Sequence, residues 1–478
     1  MKNITSSILL SLPISIGNIS CTDSKPTSTQ VNALGLGFDR CEEPIAIDHD
    51  PDPNVVEVHL RASATNWPLG TKEISGLAFN NCMPGPLIMA ERGNILRVVF
   101  DNALEEETTI HWHGLRLPNS MDGTTAVQNP IKPGEQFVYE YELKDVGLYW
   151  YHPHMDVDAQ VERGLQGAIW IQDPEAPDID TEIVVLDDIL LNSQDQIEEP
   201  TEGMMMSNMG RLGNQLIISG QIEPTILMKK GEWKLLAFVN SANTRYFDLS
   251  LDDHQMQLVG TDGGFLKSPI EIDQLVLAPG ERALVLIQGT GKEGEHYSLF
   301  NHRYNFSNMG GFGMGCSGGM TGAGHDPLPS KTTVLNIAYG DETVEETTQP
   351  VFLRDNLEAF SATDPTHIWK IDMAHGGHMD FTIDGETYPD VPVVSAQVGQ
   401  RTFVIENNST MDHPFHIHGE RFQVMEMDYV GWKDTFNIPA ESKITIVSEL
   451  ENPGDWMYHC HILEHEENGM MGVFQVQP

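Results

Sequence analysis

The sequence predicts an all-β chain built from three related β-sandwich domains, and three observations carry that prediction. The first is an internal echo: Pro86, Gly93 and Asn102 recur as Pro224, Gly231 and Asn240, and again as Pro392, Gly399 and Asn408, spaced seven then nine each time. An apolar, strand-like run follows each glycine: Ile95 to Phe100, Trp233 to Val239, and Thr402 to Ile405. The second is a turn that returns downstream as Pro133-Gly134-Glu135-Gln136, Pro279-Gly280-Glu281-Arg282 and, more loosely, Pro439-Ala440-Glu441-Ser442. Both echoes are turn signals that open strands. The third is composition: 43 Gly and 28 Pro suit many short strands joined by turns. Copies 138 and 168 residues apart point to three whole domains rather than a solenoid of short period. A length of 478 residues suits about three domains at ~150 residues each.

Taken in order, residues 1–21 read as an export signal, with Lys2 ahead of the apolar stretch Ile8 to Ile19. Ser20 and Cys21 resemble the lipid-attachment box of bacterial lipoproteins, although Asn18 stands where that box usually has Leu. The expectation is an exported protein of the periplasm or cell envelope, either lipid-anchored at Cys21 or released by ordinary cleavage. The domains are placed at 45–174, 175–345 and 346–478, with boundaries near Asp173-Pro174 and in the acidic stretch 340–350. Beyond the leader no run of ~18 apolar residues occurs, so no membrane-spanning helix is expected. In an oxidising compartment Cys41 and Cys82 could pair, while Cys316 in a Gly/Met-rich loop reads as a free thiol.

The formal net charge of -43, from 70 acidic and 27 basic residues, disfavours a nucleic-acid partner, which needs clustered Lys and Arg. Such a field suits metal ions or cationic small molecules, or simply keeps the surface solvated.

Chemistry concentrates in the histidines. His-x-His occurs four times, as His111/His113, His152/His154, His416/His418 and His459/His461. Random placement of 19 histidines gives fewer than one such pair, so the pattern is not accidental. Residues i and i+2 of a strand share a face about 6.6 Å apart, which suits neighbouring metal ions, and imidazole suits copper. In the string His459-Cys460-His461 the cysteine points away from its two neighbours. Cys460, His465 and Met470 form a thiolate, imidazole and thioether set that lacks one histidine, and His413 can supply it.

His111-Trp112-His113-Gly114, Tyr151-His152-Pro153-His154-Met155, the His413 to His418 motif and the His459 to Met470 string together resemble the multicopper oxidases. The resemblance covers nearly the whole mature chain and implies three cupredoxin-like Greek-key β-sandwich domains. It implies four coppers: a type 1 site of His413, Cys460, His465 and axial Met470; a type 2 copper on His111 and His416; and two type 3 coppers, on His113, His152 and His461 and on His154, His418 and His459. It implies a cluster between the first and third domains, with the second spacing and covering them. It also implies an oxidoreductase, a monomer, that takes electrons one at a time from a donor at the type 1 copper and passes them through Cys460 to reduce O2 to water at the cluster. Asp122 and Glu466 stand where related enzymes place proton-carrying acids; the plainer readings are a turn residue before Gly123 and an ordinary helix acid.

The donor is read from methionines. Met204 to Met206 with Met209, then Met309, Met314 and Met320, and then Met373 and Met379 form clusters of soft ligands that select Cu(I). This resembles the copper-efflux type of cuprous oxidase and suggests a role in copper tolerance. Met411, Asp412, Met373 and Met379 are the candidates for a substrate-copper site. Ser409 stands where that type carries an acid. Two alternatives remain: a general laccase taking phenols and aromatic amines, and a non-catalytic copper-binding or structural protein on the same fold.

Overall fold

The computed structural model describes residues 41–176, 179–198, 210–305, 326–344, 348–352, 357–375 and 379–478. The leader with Cys21, Met204 to Met206, Met209, Met309, Met314, Cys316 and Met320 lie outside the described residues. Among the described residues, strands dominate, and no helix is long and apolar enough to cross a membrane.

Six sheets pair into three β-sandwiches, as the internal echo predicts. In the first, Lys72–Phe79, Val55–Leu69, Ile95–Asn102 and Gln136–Glu142 form one sheet in that order, and Gly85–Glu91, Gly167–Gln172, Gly147–His152 and His111–His113 form the other. The later domains repeat the plan. The echoed strands Ile95–Asn102, Trp233–Asn240 and Gly399–Asn407 each run parallel to the domain's first strand. Each also runs antiparallel to the strand opened by the repeated turn. These central strands are apolar because sheet partners flank them and an apolar core covers them.

One detail of the echo is corrected. Asn102 and Asn240 are buried, and each donates from Nδ2 to two carbonyls across a loop: Glu106 and Ile131 for the first, Arg245 and Leu277 for the second. Their Oδ1 atoms accept Leu104 N–H and Ala242 N–H. In the third domain the residue that does this is Asn407, which donates to Met411 and Ile438 carbonyls and accepts Ser409 N–H. Asn408 instead donates its backbone N–H to Ile371. The third copy is one residue shorter between glycine and asparagine, so a constant spacing picks the neighbour.

Apolar packing welds the domains. One core cluster runs from Val58 and Phe100 in the first domain to Trp369 and Phe474 in the third. A second fills the middle domain, and a third joins Trp150 and Trp170 to Leu235 and Leu284 across the first and second domains. Cys41 and Cys82 form a disulfide that fastens the start of the described chain to the first domain.

Glu420 adds a pH dependence. It is buried and accepts the N–H groups of Asn452 at 2.9 Å and Glu451 at 3.2 Å, and burial pushes its carboxyl up to about 8. Its folded value lies above the unfolded one, so the stability present below the unfolded value is lost as pH rises through about 8. Glu420→Gln should therefore shrink the fall in Tm between pH 5 and pH 8 in thermal unfolding. An equal fall in variant and parent would remove Glu420 from the account.

Candidate metal centres

The third domain builds a thiolate site. His413–Ile417 and Gly454–Cys460 pair antiparallel, with Phe415 opposite Cys460 and His416 opposite His459. Strand alternation turns Cys460 away from His459 and His461. Cys460 Sγ then lies 3.4 Å from His413 Nδ1 and 3.5 Å from His465 Nδ1, and all three residues are buried. Met470 is fully buried; its carbonyl accepts Cys460 N–H and its own N–H reaches the His465 carbonyl. Burial pushes the Cys460 thiol up and holds His413 down at about 3. A neutral imidazole is ready to ligate, while the thiol needs a cation beside it to ionise.

On the opposite side of the same strand, eight histidines meet where the first domain faces the third. His113, His152 and His461 form one triangle, with ring centroids 4.9, 5.7 and 5.8 Å apart. His154, His418 and His459 form a second, at 5.1, 5.4 and 5.1 Å. His111 and His416 lie 5.8 Å apart between them. The ligand atoms of His154, His418 and His459 lie within 4.8 Å of one another, as do those of His111, His416 and His418.

The rings are aimed. His111 Nδ1 bonds the Asp122 carbonyl, His152 Nδ1 the Pro153 carbonyl and His416 Nδ1 the Asp434 carbonyl, each at 2.8–2.9 Å. The Nε2 of each of these rings is buried with no hydrogen-bond partner. A buried ring nitrogen left bare costs free energy unless something ligates it. Three such atoms turned toward one space fit metal ions, and burial keeps His152, His416, His418 and His461 neutral as ligation requires.

Known proteins are similar to this chain. The multicopper oxidase family models match residues 62–176, 146–315 and 359–478. A multicopper oxidase of Mycobacterium tuberculosis, MmcO, is 31% identical, the alignment covering 94% of this chain and 91% of that one. The chain belongs to the multicopper oxidase family. Among solved structures it resembles a multicopper oxidase from Campylobacter jejuni described as a metallo-oxidase, at TM-score 0.77 and 27% identity, covering 93% of this chain and 97% of that one. It also resembles a laccase from Pediococcus acidilactici, at TM-score 0.76 and 25% identity, covering 91% and 93%.

In this multicopper oxidase both candidate acids touch the histidine cluster. Asp122 Oδ2 lies 3.0 Å from His418 Nδ1. The following Gly123 has φ +87°, and a Cβ there would stand 1.8 Å from the Ile110 carbonyl oxygen, so only glycine lets the turn press against the His111 strand. Glu466 lies 2.9 Å from His459 Nδ1 and 3.2 Å from His154 Nε2, fully buried on the short helix Leu463–Glu467.

The proposed substrate-copper residues are placed differently. Met411 and Asp412 are buried, and the Asp412 carboxylate accepts Ala440 N–H and the Tyr304 hydroxyl. Both lie beneath the surface, with the Asp412 carboxylate held by these two bonds. Met373 is half-buried against the shared core, and the Met379 side chain lies outside what the structure describes. Ser409, where an acid was sought, bonds His413 Nε2 at 2.9 Å.

Sequence reasoning missed Phe381, Asp434 and Arg282. Phe381 stacks on His465 at 4.0 Å. Asp434 lies 3.1 Å from His113 Nε2. Arg282 holds Asp434. A signal for Arg282 was present: the repeated turn ends in a long cation only in its second copy.

Proposed function

We propose that this oxidase takes electrons singly from cuprous ion, and more slowly from phenols and aromatic amines, and uses them to reduce O2 to water. The observation that carries the reading is the single strand end on which Cys460 meets His413 and His465 while its neighbours His459 and His461 enter the histidine cluster. Bound copper would supply one-electron chemistry at the first group and four-electron reduction of O2 at the second. His413, Cys460, His465 and Met470 would hold the type 1 copper, His111 and His416 the type 2 copper, and the two triangles the type 3 pair. The chain contributes a short covalent link between the groups, burial that excludes water, and carboxylates at Asp122 and Glu466 placed to pass protons beside the cluster. The methionine-rich stretches and the likeness to the Campylobacter metallo-oxidase favour cuprous ion as donor.

The test is oxygen uptake by copper-loaded protein with Cu(I) and with a phenol in parallel. Cu(I) should be used at least tenfold faster, and deleting residues 309–325 should remove most of that preference. Equal rates for the two donors, unaltered by the deletion, would leave a general laccase. We further propose an exported, envelope-associated protein with Cys21 as lipid anchor. The Cys41–Cys82 disulfide suits such an oxidising compartment, and a Cys21→Ala variant that stays in the membrane fraction would refute the anchor.

A further inference from the structure

We propose that the Pro279–Arg282 turn of the second domain is a positioning element for the histidine cluster: through Asp434 it selects the nitrogen that His113 presents, and it backs His461 directly. The proposal rests on the copper reading above and concerns a domain that contributes none of the expected copper ligands.

The internal echo shows what is special about this copy of the turn. In the first domain a Cβ added to Gly134 would meet nothing within 4 Å, and Gln136 is exposed. In the third, the Ser442 hydroxyl only closes its own turn onto the Pro439 carbonyl. In the second, a Cβ on Gly280 would stand 2.9 Å from the His461 ring, and Arg282 is fully buried. The Arg282 guanidinium donates Nη1–H and Nη2–H to the two Asp434 oxygens, each at 2.6 Å. Its remaining bonds go to the Leu148, Gly280 and Asp262 carbonyls, so one side chain ties all three domains together.

Asp434 carries the effect to the cluster. His113 Nε2 lies 3.1 Å from Asp434 Oδ1 and 3.0 Å from the Thr435 hydroxyl, while His113 Nδ1 is buried without a partner. His111, His152 and His416 do the reverse, anchoring Nδ1 and leaving Nε2 bare. His113 is turned the other way because the acceptor at its Nε2 is a carboxylate held in place. The planar two-pronged grip of a guanidinium fixes a carboxylate plane as a lysine cannot. Gly114 fits the same picture: a Cβ there would stand 2.3 Å from Arg282 Nη2 and 2.6 Å from Asp434 Oδ2. The glycine that follows His113 therefore makes room for the ion pair.

The test compares parent, Arg282→Gln and Arg282→Lys after copper loading. It reads total copper per chain, the visible thiolate-to-copper band, resistance of the cluster copper to a chelator, and the fraction of copper visible by electron paramagnetic resonance, in which a coupled pair is silent. Arg282→Gln should keep the thiolate band while the cluster copper binds about 10- to 100-fold more weakly or becomes visible as the pair uncouples. Arg282→Lys should fall between, since it restores charge without the fork. Two results would overturn the proposal: an Arg282→Gln protein indistinguishable from the parent, or one that loses the thiolate band in step with the cluster copper, which would make the residue a general fold-holder. A parent that binds no cluster copper would overturn the copper reading and this inference with it.

Discussion

Cys460→Ser should abolish the visible thiolate-to-copper band and bring oxygen uptake, with Cu(I) or a phenol, down to the buffer background. Serine keeps the shape of the side chain and removes the soft, ionisable sulfur. Burial already pushes the Cys460 thiol up, so the thiolate exists only with a cation beside it. A hydroxyl, far harder to ionise, gains nothing comparable. Total copper should fall by about one ion per chain, because the histidine cluster draws no ligand from the Cys460 side chain. Substantial oxygen uptake by this variant would show that donors reach the cluster by a route that bypasses Cys460.

Glu466→Gln should leave the thiolate band intact and slow oxygen uptake about 10²- to 10⁴-fold, the range for removing a positioned group that takes up and passes on protons. The amide preserves size and one acceptor oxygen but cannot take up and pass on a proton. Glu466 sits between two cluster histidines, His459 and His154, so its loss should be felt at the oxygen-reducing end. Rapid mixing separates the two halves of the reaction: bleaching of the thiolate band by donor should stay fast, and its return with O2 should become slow. Asp122→Asn should behave similarly through His418. A loss smaller than tenfold in Glu466→Gln would reduce the residue to a cap on His459.

The candidate metal centres were legible in the sequence because their chemistry is local and rare. His-x-His on a strand places two imidazoles on one face whatever the surrounding fold, and Cys460 between two such histidines must face the other way. The three sandwiches were legible for a related reason: glycine and proline mark turns one residue at a time. What escaped depends on meetings between distant segments. Arg282 and Asp434 lie 152 residues apart, and each alone reads as a surface charge. Asn407 was displaced to Asn408 by a spacing argument that a single missing residue defeats. Met411 and Asp412 carry chemistry suited to a soft cation, while their burial and the bonds of Asp412 to Ala440 N–H and the Tyr304 hydroxyl depend on distant segments that no motif encodes.

The joining of the first domain to the third sets an order of events in the life of the chain. His111 and His461 belong to one cluster, yet about three quarters of the chain is made between them. The earliest half of the ligand set must wait, unmetallated, until the final residues have emerged and docked. Contacts this remote form late and slowly. Copper loading is then expected as the last step of maturation, with the ions acting as a latch on a seam that packing has closed. A chain truncated just before His459 would retain most of its strands but neither histidine triangle nor the thiolate site.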